Sequence, residues 1–373
     1  MSELKIEVDP GEVGLDAERL ARLDRHLGSY VDDTIWRAYS MAKPVTSVAA
    51  MMLYEQGAFD LRDPIERFIP AFGDARVYQS GSSADLVTEP ATEPIRVWHL
   101  LTHTAGLTYG FHYSHPVDAM YRDSGLAQES PPGMDLAACC EVWAGLPLLF
   151  QPGSEWNYSV ATDVLGRVIE VVTGQALDVF LREAVLRPLG MVDTAFHVGE
   201  ADAGRLAALY AAEPGTRLAA RTDGSRALRP PELISGGGGL LTTAADYHRF
   251  TQMLLRGGEL DGARVLGSRT VRYMARNHLP GGVDLEAFGR PLFAETSFAG
   301  IGFGLGFSVV IDPAASRTLS SAGELAWGGA ASTAFWVDPA EEITAVFMTQ
   351  LVPSGTHPIR SRLRQLVYQS LVD

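Results

Sequence analysis

Two segments near the start of the chain carry apolar residues at helical spacing. In residues 15–27 (LDAERLARLDRHL), leucines recur among charged side chains, which predicts an amphipathic surface helix. Residues 41–56 (MAKPVTSVAAMMLYEQ) are mostly helix formers, and Gly57 is placed to end that helix. Pro44 has no N–H to offer the carbonyl of Ser40, and a helix tolerates this loss only in its first turn. Ser40 is therefore predicted to lie at or beside a helix N-terminus.

The pattern changes twice farther along the chain. Residues 59–235 read as helices broken by long polar loops, for example 79–94 and 125–133. After Gly236–Gly239 and one more helical stretch, four alternating segments rich in β-branched and aromatic residues follow one another (FGLGFSVVID, ELAWGGAAS, TAFWVD and ITAVFMTQ). Turn residues such as Asp338 and Pro339 separate them, which predicts an antiparallel meander, and residues 360–371 close the chain as a helix.

This order of elements predicts an α/β protein of the α+β type, with an antiparallel sheet flanked by helices and a large helical domain inserted into it. The core domain is expected from residues 1–58 and 236–373, and the helical domain from residues 59–235. We expect the active site in the cleft between the two domains.

Composition and charge exclude several classes of binding partner. Of 373 residues, 46% are hydrophobic and 20% charged, as in globular proteins, and the net charge of -15 opposes binding to nucleic acid or to an anionic membrane surface. The two cysteines, Cys139 and Cys140, are adjacent, so no disulfide framework is expected. The chain shows no basic, apolar leader and no apolar run of about 20 residues. We therefore predict a cytoplasmic protein that binds neither nucleic acid nor membrane.

The strongest chemical signal is Ser40-Met41-Ala42-Lys43, an S-x-x-K at a predicted helix start. A spacing of three puts the serine hydroxyl and the lysine amine on one helix face, where the lysine can take the hydroxyl proton. The helix N-terminus adds free N–H groups where an oxyanion would form. The tetrapeptide alone is weak, because an N-cap serine beside an exposed lysine explains it equally well.

Two more features point to chemistry. Tyr158 stands just ahead of a helix predicted to begin near Ala161, where its phenol could act as a base or proton relay. Trp327-Gly328-Gly329 falls on a predicted strand, which two glycines weaken unless something approaches the backbone closely. The alternatives are a packed tyrosine with a hydrogen-bonded hydroxyl, and a β-bulge.

Together these features resemble the penicillin-recognising serine hydrolases, with a closer similarity to class C β-lactamases and to family VIII carboxylesterases. Blocks such as HLLTHTAGLTYG, FQPGSEWNYSVATDVLGRVIEVVTG and WGGAASTAFWVDP extend the resemblance over most of the chain. It implies Ser40 as nucleophile, Lys43 and Tyr158 as the proton-handling pair, and an oxyanion hole formed by the backbone N–H groups of Ser40 and Ala330. It implies no metal and no cofactor.

Two departures from the lactamase pattern favour an esterase. Val160 stands where the lactamase motif has an asparagine that binds the lactam side-chain amide, and Trp327 stands where a lysine would pair with the lactam carboxylate. Trp327, Gly328 and Gly329 form a pattern seen among family VIII esterases, and the tryptophan offers an aromatic wall to a neutral ester. Substrate-binding roles are therefore expected for these three residues.

A third departure concerns the fold. The family has a β-hairpin before the stretch that leads to S-x-x-K, whereas residues 30–33 leave no room for one here. We expect a narrower sheet whose apolar side chains, such as Phe347, lose their cover. Marginal stability or self-association into a homo-oligomer would follow.

The leading hypothesis is a serine carboxylesterase that hydrolyses small, short-chain esters through an acyl-enzyme, with the small-molecule ester as its substrate. Within the same family, the alternatives are a weak β-lactamase, a D-amino peptidase and an acyltransferase. A catalytically inactive penicillin-binding-like scaffold is the alternative from another class. Four histidines suggest metal spacing, but no matching set of Cys, Asp or Glu accompanies them: His99, His103, His112 and His115.

Overall fold

The computed structural model describes residues 33–126, 133–213, 219–290 and 297–372. The helix predicted over residues 15–27, and all but the last residue of the predicted hairpin gap, lie outside the described residues. The helices are α1 (Ala42–Glu55), α2 (Val97–Thr102), α3 (Pro116–Tyr121), α4 (Leu136–Ala144), α5 (Ala161–Thr173), α6 (Leu177–Leu181), α7 (Ala244–Leu255), α8 (Ser268–Met274), α9 (Leu285–Phe288), α10 (Pro313–Ser316) and α11 (Ile359–Tyr368). The strands are β1 (Trp36–Arg37), β2 (Arg76–Ser82), β3 (Asp85–Pro90), β4 (Tyr210–Ala212), β5 (Ala219–Arg221), β6 (Leu241–Thr242), β7 (Glu259–Leu260), β8 (Ala263–Arg264), β9 (Ile301–Phe303), β10 (Ser308–Val310), β11 (Leu325–Gly328), β12 (Ala334–Asp338), β13 (Ile343–Phe347) and β14 (Leu351–Val352).

The main sheet is the antiparallel meander that the sequence predicts. Its five strands lie in the order β13-β12-β11-β10-β9, and every neighbouring pair is antiparallel. Because side chains alternate along a strand, Phe335 and Val337 of β12 join the core on the side of α1 and α7, whereas Trp336 faces α11. The sheet is therefore covered by helices on both faces, and the predicted α+β architecture is confirmed.

Helix α1 begins as the position of Pro44 requires. A 3-10 turn over Tyr39–Met41 leads into it, and Pro44 is its third residue, where no intrahelical N–H bond is lost. The helix runs through the core with most of its side chains buried, and it ends before Gly57, which has a φ of 72°. This placement brings the turn that carries Ser40, just ahead of α1, against the end of β11.

Helix α11 is bound firmly to the back of the sheet. The Arg364 guanidinium pairs with the fully buried carboxylate of Glu324, and the Tyr368 hydroxyl lies 2.8 Å from Glu324 Oε2 and 2.5 Å from Asp338 Oδ2. Burial raises the pKa of the Glu324 carboxyl, chiefly because its charged form loses hydration inside the protein. These polar contacts anchor the C-terminal half of the helix to β12 and to the residue that precedes β11.

The expectation that Phe347 loses its cover is wrong. Its side chain is only 8% exposed and packs with Trp336 and Leu363 beneath α11. The closing helix thus supplies the apolar contacts that the short N-terminal region was expected to leave vacant. Within the described residues β13 remains an edge strand, paired only with β12.

The loop predicted over residues 79–94 is also wrong in its first part. Strands β2 and β3 form an antiparallel hairpin there, with a register irregularity between Tyr78 and Ser80. The pattern is hard to recognise because the hairpin lies on the surface, and Val77 is its one fully buried apolar residue. The proposed division into a core domain and a helical domain stays a prediction. Among the described residues, every helix is too short or too polar to span a lipid bilayer.

Candidate active site

Ser40 lies in the tight turn ahead of α1. Its neighbour Tyr39 has a φ of 48°, an uncommon value for a residue with a side chain, and marks a strained approach to the serine. The Ser40 side chain makes no capping bond, and the N-cap position of α1 belongs to Met41. The N-cap interpretation of Ser40 is therefore wrong. Its hydroxyl oxygen lies 3.4 Å from Nζ of Lys43.

Lys43 is buried, with 1% of its surface exposed, and its amine has three polar neighbours. Besides Ser40, Nζ donates to the carbonyl oxygen of Gly237 at 2.8 Å and to the hydroxyl of Tyr109 at 3.0 Å. A carbonyl can only accept, so it fixes one N–H of the amine in direction. The alternative in which Lys43 is an exposed lysine beside an N-cap serine is therefore wrong.

The turn of residues 235–239 holds the Gly237 carbonyl in place. Asp163, on the first turn of α5, accepts hydrogen bonds from Ser235 Oγ at 2.6 Å and from the Gly237 N–H at 3.0 Å. Thr46 of α1 donates to the Gly236 carbonyl at 2.8 Å. A Cβ at Gly237 would lie 2.6 Å from Asp163 Oδ2, so the close approach requires glycine here. The glycine run is thus a packed turn at the edge of the cleft that serves Lys43.

Tyr158 stands beside the lysine, just before α5. Its ring centroid is 4.5 Å from Lys43 Nζ, while its hydroxyl accepts a hydrogen bond from Trp327 Nε1 at 3.3 Å. The structure therefore brings Ser40, Lys43, Tyr158 and Trp327 together, as the sequence predicts. The phenol hydroxyl is paired with the indole and not with the amine.

The end of β11 completes the site. Trp327 and Gly328 are the last residues of the strand, and Gly329 follows in a turn packed against the chain that enters Ser40. Ala330 is exposed, and its N–H donates to no residue in the described part of the chain. Ser40 and Ala330 both line two cavities, of about 690 and 650 Å³. Phe111, Phe298 and Trp327 give the first cavity an aromatic lining.

Comparison with known proteins gives the family of this chain. The model of the beta-lactamase family matches residues 20–369. The chain belongs to the beta-lactamase family. Within it, Esterase EstB of Burkholderia gladioli is 32% identical, over 92% of this chain and 85% of that protein. The chain is therefore a serine hydrolase with the beta-lactamase fold, similar to family VIII carboxylesterases.

Two further relatives show how far the similarity extends. Protein Rv1367c of Mycobacterium tuberculosis is 39% identical, over 86% of this chain and 78% of that protein. The solved structure of EstCE1, described as a hydrolase with promiscuous acyltransferase activity, is 30% identical with a TM-score of 0.73 and covers 92% of this chain and 87% of that one. In both cases the similarity thus extends over most of this chain.

Tyr109 also belongs to the site, although no motif in the local sequence marks it as a site residue. It lies 66 residues from Lys43 and follows the HLLTHTAGL segment, whose fold alone brings it to the lysine. Burial, reinforced by the carboxylate of Asp163 and by Tyr158, raises the pKa of Tyr109 well above its usual value. Tyr109 therefore stays a neutral phenol beside Lys43.

The four histidines have separate structural surroundings. His99 Nδ1 accepts from the Arg96 N–H at the start of α2, and His115 caps α3 by accepting from the Val117 N–H. Burial lowers the pKa of His99 to about 3 and that of His103 well below its usual value. The described residues contain no group of three or more acidic, histidine or cysteine side chains arranged to hold a metal ion.

Proposed function

We propose that this protein is a carboxylesterase that hydrolyses small, short-chain esters through an acyl-enzyme on Ser40. The observation that carries the proposal is the Lys43 amine, buried and 3.4 Å from Ser40 Oγ. A serine hydroxyl needs an adjacent base to become a nucleophile, and no other described side-chain nitrogen or oxygen forms a hydrogen bond with this oxygen. The site needs no metal or cofactor for this step.

The lysine contacts suit a base. In its neutral form the amine has two N–H groups and one lone pair. Gly237 and Tyr109 accept the two N–H groups, which leaves the lone pair directed to Ser40 Oγ. When Oγ attacks the ester carbonyl carbon, the new O–C bond forms and the hydroxyl proton passes to Lys43. The amine then carries a third N–H, which faces the serine oxygen until its proton is passed on.

The charge on the attacked carbonyl oxygen needs donors at the same place. The Ser40 N–H lies ahead of the first intrahelical bond, and Ala330, whose N–H has no acceptor among the described residues, lines both cavities with Ser40. Two such donors stabilise the tetrahedral intermediate, which then expels the alcohol as its C–O bond breaks. Tyr158 gives its hydroxyl proton to the leaving alcohol and then takes up the proton that Lys43 received from Ser40, so the amine and the phenol regain their starting forms. A water molecule then attacks the acyl carbon in the same way, and the serine oxygen leaves with a proton as the acid is released.

We expect a strong preference for esters over β-lactams. Trp327 engages its indole N–H with Tyr158, and Val160 is a buried aliphatic residue that lines the second cavity. Neither can bind a lactam carboxylate or amide, and a charged group without a partner in an apolar cleft is costly. The specificity constant for p-nitrophenyl butyrate should exceed that for nitrocefin by at least about 10³-fold.

The control for this assay is labelling with a fluorescent phosphonate, which reacts only with an activated serine. A protein that is labelled and yet hydrolyses nitrocefin as efficiently as the ester would overturn the proposed preference. A protein that is not labelled would support the inactive scaffold instead.

Acyl transfer is the second candidate function. Ser40 lies between two cavities of similar volume, so an alcohol in one of them can reach an acyl group held in the other. EstCE1, with its described acyltransferase activity, supports this candidate. Butyl butyrate formed when the same assay contains n-butanol would favour it, and butyrate as the only product would favour hydrolysis.

Two tyrosine variants test the assignment of the proton donor. We expect Tyr158→Phe to reduce turnover of an alkyl ester by about 10²-fold or more, and turnover of a p-nitrophenyl ester much less, because nitrophenolate leaves without a proton. Tyr109→Phe removes the same atom from a residue whose hydroxyl, among the described residues, hydrogen-bonds only to the lysine, so it should affect both esters equally. Equal losses on the two esters for Tyr158→Phe would show that this phenol does not protonate the leaving group.

A further inference from the structure

The two glycines after Trp327 make room for protein atoms. A Cβ on Gly328 would lie 2.4 Å from Nη2 of Arg360 and 2.6 Å from the carbonyl oxygen of Thr333. A Cβ on Gly329 would lie 2.4 Å from the carbonyl oxygen of Ala38. All three distances are far below van der Waals contact. The absence of a side chain at Gly328 therefore allows Arg360 to lie directly against the end of β11.

Arg360 closes the turn that carries the second oxyanion donor. Its Nη2 donates to the carbonyl oxygens of Gly329 at 3.3 Å and of Thr333 at 3.0 Å. The same turn is closed from within, since the Gly329 N–H donates to Thr333 and the Ser332 N–H donates to Gly329. One guanidinium nitrogen thus joins both ends of a five-residue turn.

The geometry of a peptide bond turns this contact into an effect on the active site. In a planar trans peptide the C=O and the following N–H point in opposite directions. The carbonyl of Gly329 and the N–H of Ala330 belong to one peptide plane. While Arg360 holds the carbonyl on its own side, the N–H must point away from Arg360. Ala330 and Ser40 together line the second cavity, which Arg360 does not line.

We propose that Arg360 is a positioning residue of the oxyanion hole, which orients the Ala330 N–H by holding the Gly329 carbonyl. The proposal rests on the proposed function, because it presupposes that the Ala330 N–H stabilises an oxyanion. Arg360 touches no reacting atom. It acts through the Gly329–Ala330 peptide plane, which can rotate more freely when the guanidinium is removed.

The anchoring of α11 makes this role testable. Arg364 and Tyr368 hold the helix through Glu324 and Asp338, one and two turns beyond Arg360. Loss of the Arg360 guanidinium therefore leaves the helix attached to the sheet. Arg362 lies on the same helix with its side chain exposed, and Arg362→Met is the matched control.

The experiment compares Arg360→Met, Arg360→Lys and Arg362→Met. Each variant is assayed for kcat and KM on p-nitrophenyl butyrate and for inhibition by phenylboronic acid, whose tetrahedral serine adduct places an oxygen in the oxyanion hole. For Arg360→Met we expect kcat to fall by about 10- to 100-fold and boronate affinity to fall by a similar factor, with KM changed by less than about threefold. Arg360→Lys, which keeps a cationic donor, should recover most of both losses, and Arg362→Met should match the wild type.

Two results would overturn the proposal. One is an Arg360→Met variant with wild-type kcat and boronate affinity; the other is a lower kcat with unchanged boronate affinity, which would place the defect outside the oxyanion hole. If the Met variant does not fold, Arg360→Gln, which keeps an N–H donor on a shorter chain, is read by the same two quantities. Failure of the proposed function is seen separately, as ester turnover that survives in Ser40→Ala.

Discussion

Ser40→Ala should abolish ester hydrolysis, with a fall in kcat of at least about 10⁴-fold, because no acyl-enzyme can form without the hydroxyl oxygen. The fold should be unaffected. The serine side chain caps no helix, and among the described residues its hydroxyl hydrogen-bonds only to Lys43, so the usual capping loss of about 1 kcal/mol does not apply. Steady-state kinetics on p-nitrophenyl butyrate and thermal unfolding of the same preparation measure the two effects.

The matched control is Ser47→Ala. Ser47 lies on the same helix, is buried, and its hydroxyl has no hydrogen-bond partner in the described part of the chain. It should keep wild-type kcat and unfold at nearly the wild-type temperature. An Ser40→Ala variant, purified free of other esterases, that turns over ester within tenfold of the wild type would refute Ser40 as the nucleophile.

Lys43→Met is expected to lower kcat by about 10³-fold or more, since general-base assistance and the hold on Ser40 disappear together. The change in folding free energy should stay within about 2 kcal/mol, because an apolar side chain no longer buries a polar amine, which offsets the loss of hydrogen bonds to Gly237 and Tyr109. Chemical denaturation of the variant measures this second quantity.

Lys43→Arg separates the base from the charge. A guanidinium keeps the positive charge but does not give up its proton at any working pH, so it cannot accept the proton of Ser40. We expect it to be as inactive as the methionine variant at pH 7 and at pH 9. Activity in the arginine variant, with none in Lys43→Met, would show that Lys43 contributes charge alone and that another group is the base.

The start of α1 was predictable because its determinants are local. Pro44 restricts the helix to begin within a few residues of Ser40, and the spacing of three then places Lys43 on the same side. The meander was predictable for the same reason, since alternation and turn residues are read within each segment. The closing helix, predicted over residues 360–371, is observed over Ile359–Tyr368.

Tyr109 and Arg360 could not be found in this way. Both reach the site through tertiary packing, Tyr109 from a loop 66 residues beyond Lys43 and Arg360 from the last helix, 31 residues after the carbonyl of Gly329. Their residue types carry no spacing signal. The glycines at 328 and 329 did carry a signal of close approach, but the sequence does not say which atoms approach.

The two wrong expectations about the sheet and the surface share a cause. The cover over Phe347 comes from Leu363, whose position depends on how α11 crosses the sheet. The hairpin of β2 and β3 lies on the surface, where burial imposes little alternation on the sequence. Long-range packing and surface strands both lack a local hydrophobic pattern.

The packing of residues from far along the chain against the segment that leads into Ser40 has a consequence for biosynthesis. The strand that leads into the serine is bound by Gln350, 313 residues from Arg37, and Ala38 packs against Gly329. A ribosome produces the nucleophile long before it produces Gly329 and Gln350. Because domains fold from the N-terminus as they emerge, the nascent chain carries Ser40 for most of translation without its partner strand. A chain that ends before β11 therefore lacks Trp327 and the Ala330 N–H, and we expect it to show no ester hydrolysis.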